Sequence, residues 1–181
     1  VYAYSDGEDF ILCDANLSVE FQDKVCLLGK NGSGKSTVLK LILGELSEFD
    51  GQIKLGSNVK IGYLPQNVSF ENEEETILKE FQKYFNGTLT QIYSTLASFH
   101  FYGEEVHKRI SSLSGGEKVR LKFADLVQND VNFLILDEPT NHLDVRNREI
   151  LEEALSRFEG TLLFVSHDRY FINKVANRVV E

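Results

Sequence analysis

The stretch Gly29-Lys30-Asn31-Gly32-Ser33-Gly34-Lys35-Ser36 constrains this chain more than any other. An apolar run, Val25-Cys26-Leu27-Leu28, precedes it, and Lys35 to Leu43, apolar on most faces, follows it. A buried strand, a glycine-rich turn and a helix in that order form a phosphate cradle. Glycines allow backbone angles that other residues resist and let the chain approach an anion closely. Successive backbone N–H groups and the helix N-terminus, extending to Thr37, then point at that anion. Lys35 is placed to reach terminal phosphates, and the Ser36 hydroxyl to ligate Mg²⁺, a hard cation that takes oxygen ligands.

A second apolar run, Phe133-Leu134-Ile135-Leu136, ends in Asp137-Glu138. Strand ends of parallel α/β sheets form ligand crevices. Neighbouring strand residues point opposite ways, so the two acids are expected to divide the work. Asp137 would hold Mg²⁺ and Glu138 would face an attacking water as general base. A third feature, Leu113-Ser114-Gly115-Gly116-Glu117, opens an amphipathic helix with Val119, Phe123, Leu126 and Val127 at helical spacing. Ser114 is a good cap residue, and the glycines bare backbone N–H groups. One nucleotide needs one cradle, yet two anion sites stand on different elements. The second is therefore expected to serve a nucleotide held by a partner domain.

Between these motifs, Val1 to Phe21 reads as short antiparallel strands around Asp6-Gly7. Gly51 to Leu55 and Val59 to Leu64 read as strands around a Gly-Ser-Asn turn. Thr76 to Tyr84 and Leu89 to Phe99 read as helices of a small insertion, with Phe81, Tyr84, Phe85, Phe99 and Phe101 as its core. Glu117 to Gln128, Arg146 to Phe158 and Tyr170 to Ala176 read as helices, and Leu162 to Val165 as a strand. Strands buried on both faces and alternating with helices indicate a parallel sheet.

The 181 residues suffice for one domain with a sizeable core. A net charge of −9 with scattered basic residues argues against nucleic-acid binding by this domain alone. No apolar run reaches the roughly 20 residues of a membrane helix. The chain begins at Val1 and has no Met, so a piece of a longer protein is expected, with no signal peptide. Cys13 and Cys26 fit no metal spacing and read as reduced core thiols, which suits the cytoplasm. The acidic run Glu71 to Glu75 reads as a solvated loop or helix start.

Taken together, these motifs resemble the ATP-binding-cassette ATPases, across nearly the whole chain. The resemblance implies an α/β P-loop cassette with a mainly parallel core sheet, an antiparallel β subdomain and a small α-helical subdomain near residues 71–128. It implies ATP and Mg²⁺ as ligands, and two cassettes closing head to tail. Leu113 to Glu117 is similar to the family's signature motif. Tyr63-Leu64-Pro65-Gln66 is similar to its glutamine loop, so Gln66 would sense Mg²⁺ and the attacking water. Asp144 matches the aspartate loop that communicates across the pair, His167 the switch histidine at the γ-phosphate, and Tyr4 the aromatic that stacks on adenine.

Glu138 to Asp144 and Ser166-His167-Asp168-Arg169-Tyr170-Phe171 resemble the F group of cassette proteins, which carry two cassettes and no membrane domain. Phe158 to Phe164 and the short span from Gln66 to Leu113 resemble the second, C-terminal cassette. That implies a cytoplasmic protein whose full-length form acts on the ribosome, in translation or antibiotic resistance. The partner would be a second cassette, in the same full-length chain or in a second copy. The competing expectation is the ATPase subunit of a membrane transporter. His142 is expected to make a polar contact at the dimer interface, and Arg169 to steady its own loop.

Overall fold

A computed structural model describes residues 4–5, 10–12, 15–47, 49–85, 87–141 and 143–181. The short strands β1 (Tyr4–Ser5) and β2 (Phe10–Leu12) pair antiparallel, as the N-terminal pattern predicts. The Asp6-Gly7 turn and Cys13 lie outside the described residues. The core is a five-stranded sheet of β3 (Lys24–Leu27), β4 (Ile61–Leu64), β5 (Phe133–Asp137), β6 (Thr161–Val165) and β7 (Arg178–Val180). Its order is β4-β5-β6-β3-β7, and every pairing is parallel.

The apolar runs are buried because helices cover both faces. On β5, Phe133 and Ile135 point to the side of α1 (Lys35–Leu43), where Val25, Leu27, Leu39, Leu163 and Val165 join them. Leu134 and Leu136 point the opposite way, into a larger cluster with Leu162, Phe164 and Phe171. This is the two-residue side-chain period of a strand sandwiched between layers. α4 (Gly115–Gln128), α5 (Val145–Arg157) and α6 (Arg169–Val175) contribute to the second cluster through Phe123, Leu151, Leu155 and Phe171.

The insertion holds α2 (Ile77–Gln82) and α3 (Leu89–Ser98), whose N-caps Thr76 and Thr88 accept from backbone N–H groups three residues on. Ile77, Phe81, Ile92, Leu96, Phe99 and Phe101 form its apolar interior, and the rings of Phe99 and Phe123 meet edge to face at 5.7 Å. Tyr84 is not part of that interior. It stands beyond the end of α2 and is 48% exposed. The acidic run is not merely solvated either. Glu73 pairs with Lys118 at 2.7 Å and Glu74 with Arg109 at 2.8 Å. Ser111 N–H also donates to the Glu73 carbonyl, so this loop is pinned beside the approach to α4.

Two elements differ from the sequence reading. Gly51 to Leu55 forms no strand: Gln52, Lys54 and Leu55 are exposed, and no ladder of strand hydrogen bonds engages the segment among the described residues. Alternating residues signal a strand only when a neighbour supplies backbone partners. Conversely, β7 is too short to show a periodicity. It is fixed by pairing with β3, and Leu28 N–H donates to the Val180 carbonyl at 2.8 Å.

Register then places the loops. Leu27 stands opposite Val165, and Val165 opposite Asp137. The carboxyl ends of β3, β5 and β6 therefore finish level, and the turns that follow all open at one edge of the sheet.

Candidate active site

The turn after β3 is the glycine-rich loop. Gly29, Gly32 and Gly34 have φ of 149°, 80° and 89°, the left-handed range that favours glycine. A Cβ at Gly29 would stand 2.6 Å from the Ser33 hydroxyl oxygen, so that glycine is required by close approach as well. Gly34 caps α1 without a side-chain hydrogen bond, which leaves the first N–H groups of the helix free to face an anion. Lys30, Asn31 and Ser33 are exposed along the loop, and Thr37 is half-buried in the first helical turn. The Lys35 ammonium donates to the carbonyls of Gly29 and Lys30, each at 2.9 Å. It is thus curled across the mouth of its own loop.

Beside it, the Ser36 hydroxyl donates to a carboxylate oxygen of Asp137 at 3.4 Å. Burial raises the Asp137 carboxyl above its ordinary value, while the Ser36 hydrogen bond, Lys35 and Lys40 pull it back. Two oxygen ligands at the crevice, one of them a half-buried carboxylate, fit a small hard cation that keeps waters in its shell. Gln66 is exposed two residues past β4 and makes no hydrogen bond to Ser36 or Asp137 among the described residues.

Glu138 is held in an uncommon backbone state. Its φ is 48°, left-handed for a residue with a Cβ, and its N–H donates to the Val165 carbonyl at 2.9 Å. Such conformations persist only where surroundings impose them, and they cluster at functional sites. The turn separates the acids as expected: Asp137 faces Ser36, and Glu138 faces the turn after β6. There its carboxylate accepts from the His167 N–H at 3.3 Å, and its other oxygen lies 3.3 Å from His167 Nε2. The Glu138 carboxylate is largely buried and the His167 ring largely exposed, so the imidazole presents the acid toward the open side of the crevice.

Ser114 sits elsewhere, at the start of α4. Its hydroxyl oxygen accepts from Glu117 N–H at 3.3 Å, and its own N–H donates to the Glu117 carboxylate at 2.9 Å, a closed capping box. Those hydrogen bonds stay within the helix start, and none reaches residues 29–37. Gly115 and Ser114 are exposed; Gly116 is buried. Asp144 is exposed and caps α5, accepting from Asn147 N–H at 3.0 Å.

That hydrogen bond holds the Asp144 carboxyl below its ordinary value. A depressed value means that its stabilising contribution is present above the ordinary carboxylate range and is lost as pH falls through the folded-state value. Asp144→Ala is therefore expected to lower Tm by a few degrees at neutral pH. The difference from wild type should shrink on acidification. A gap in Tm that stays constant down to acidic pH would contradict this.

Sequence reasoning missed several supporting groups. Asn147, only 8% exposed, bonds to Asp144 by both backbone and side chain. Arg148 pairs with Asp168 at 3.3 Å, and Asp168 caps α6 next to His167. The spacing Asp144-x-x-Asn147 is an N-cap signal that could have flagged the first. Arg169, expected to steady the loop, is exposed at the first position of α6. His142 lies outside the described residues, as does the side chain of Tyr4. Cys26 is buried and its thiol is pushed up to about 11, chiefly by burial, which suits an inert core residue. No helix among the described residues is long and apolar enough to cross a membrane.

Residues 12–141 match the family described as ABC transporter. YdiF of Bacillus subtilis (strain 168) is 45% identical over 172 residues, 94% of this chain and 27% of that protein. ABC transporter F family member 2 of Arabidopsis thaliana is 41% identical over 170 residues, 92% of this chain and 25% of that protein. YheS of Escherichia coli (strain K12) is 39% identical over 173 residues, 94% and 27% respectively. The chain thus spans about a quarter of the length of these relatives. Among solved structures, a dimeric ATP-binding cassette in a post-hydrolysis state with ADP and Pi has the same fold. Its TM-score is 0.73 at 23% identity, covering 98% of this chain and 89% of that one.

Proposed function

The chain belongs to the ABC transporter family, and we propose that it is an ATP-hydrolysing, Mg²⁺-dependent cassette of the F group that closes head to tail on a second cassette. Ser114, Gly115 and Gly116 would then complete the pocket opened by Gly29 to Thr37 of the other cassette. The observation that carries this reading is the separation of two anion-ready helix starts. The α1 start adjoins the Ser36–Asp137 pair, whereas the α4 start is exposed, and its capping bonds reach nothing in that crevice.

Within the pocket, the N–H groups of residues 29–37 and the Lys35 ammonium bind the phosphates. Ser36 and Asp137 would hold the magnesium ion, with Gln66 facing it. A bound cation neutralises phosphate charge, and phosphoryl transfer depends mainly on such positioning and neutralisation. Glu138 accepts a proton from the attacking water and is held for that task by His167. His167 also offers its exposed imidazole to the γ-phosphate. Tyr4 would stack on adenine, and Asp144 would face the partner cassette.

We assign the chain to the F group because its relatives include F family members and because the sequences Glu138 to Asp144 and Ser166 to Phe171 carry that group's pattern. The sequence of Phe158 to Phe164 supports a C-terminal cassette. On this reading the full-length protein is cytoplasmic, has no membrane contact, and works on the ribosome in translation or antibiotic resistance. Ribosomes added to the full-length protein should then raise its ATP turnover, and the trapped ATP state should co-sediment with them. Turnover indifferent to ribosomes but raised by a membrane partner would replace this reading with a transporter subunit.

A further inference from the structure

The two glycines of the Ser114-Gly115-Gly116 turn have different surroundings. A Cβ at Gly115 would meet nothing within 4 Å. A Cβ at Gly116 would stand 2.6 Å from Asn147 Nδ2, 2.8 Å from its Cγ and 2.9 Å from its Cβ. Asn147 cannot easily swing aside. It is only 8% exposed, its side-chain N–H donates to Asp144 at 2.5 Å, and its backbone N–H donates to the other Asp144 oxygen at 3.0 Å. α4 and α5 pack on each other along this line. Asn147 is thus wedged between the start of α4 and the residue that caps α5.

We infer that Asn147 is a positioning residue that locks Asp144 to the Ser114–Gly116 helix start, so that both partner-facing elements of the cassette move as one unit. The inference rests on the head-to-tail pairing proposed above. It gives the two glycines separate reasons. Gly115 keeps the surface bare for a nucleotide held by the partner. Gly116 makes room for Asn147 of its own chain. A side chain at either position would impair turnover, but only the second impairment would be relieved by shortening residue 147.

The test measures ATP turnover, nucleotide affinity and Tm for variants of the full-length protein. Asn147→Ala should lower kcat about tenfold, the upper range of coupling through a packed contact, with ATP affinity nearly unchanged. Asn147→Asp keeps the shape but cannot donate to Asp144 when ionised. It should lower kcat at least as far while still binding ATP, a split that loss of packing alone would not produce. Gly116→Ala should lower kcat about 100-fold, as a displacement of order 1 Å does. Adding Asn147→Ala to Gly116→Ala should recover part of that loss or, where Gly116→Ala alone fails to fold, restore folding. An Asn147→Asp protein with wild-type kcat would overturn the inference. So would a double variant whose loss is the product of the two single losses, or whose folding is not restored. Gly115→Ala separates the two levels. If it turns over normally, the pairing itself is wrong; if it is impaired while the double variant shows no relief, only the role of Asn147 is.

Discussion

Glu138→Gln is expected to bind ATP and almost cease to hydrolyse it. The amide keeps the volume of the side chain and one acceptor oxygen, so the turn held by Val165 and the contact with the His167 N–H can survive. What is lost is the ability to take a proton from water. General-base catalysis contributes about 10²- to 10⁴-fold, so kcat should fall by that factor with ATP affinity within a few-fold of wild type. The ATP-loaded pair should accumulate as a closed species, visible by gel filtration. Hydrolysis at the wild-type rate would remove Glu138 from its role. The left-handed backbone at Glu138 sharpens the expectation: a residue with a Cβ is kept there at a conformational cost.

Lys35→Ala should fail earlier, at binding. Its ammonium now satisfies the carbonyls of Gly29 and Lys30 and stands at the loop mouth, where terminal phosphates would lie. Charged hydrogen bonds contribute about 1.5–3 kcal/mol each, so affinity for ATP should drop roughly 10- to 100-fold. Turnover should fall further still, because the charge that develops on the transferred phosphoryl group is no longer neutralised. AMP, which lacks those phosphates, should bind the variant and the wild type alike. Equal ATP affinity in the two proteins would contradict the placement.

Most of the candidate site's edge was legible in the residues themselves. Gly29 to Ser36 announces both its conformation and its ligand, since glycines at fixed spacing between a strand and a helix have few other uses. Phe133 to Glu138 announces a buried strand ending in acids. Parallel pairing could not be read from periodicity alone, but it follows once several continuous apolar runs alternate with helices. What sequence could not supply was long-range register. The contact of Glu138 with His167 joins residues 29 apart, and it exists because β5 and β6 end level. Asn147 was missed for a similar reason: an asparagine early in a helix looks like surface until α4 is packed on it. Tyr84 failed in the opposite sense, because an aromatic next to core aromatics was assigned to the core although α2 ends before reaching it. Gly51 to Leu55 shows the limit of the alternation rule, since Ile53 and Leu55 carry the pattern without a paired neighbour among the described residues.

In the proposed pair, one cassette supplies Ser114 to a nucleotide gripped by another. Mixing two inactive proteins tests it most directly. One carries Lys35→Ala and an intact Ser114; the other carries Ser114→Arg and an intact Lys35. Neither should hydrolyse ATP alone, and the mixture should regain turnover that rises with protein concentration, because one mixed pair contains one complete pocket. A Ser114→Arg cassette that hydrolyses ATP by itself at the wild-type rate would rule out this pairing.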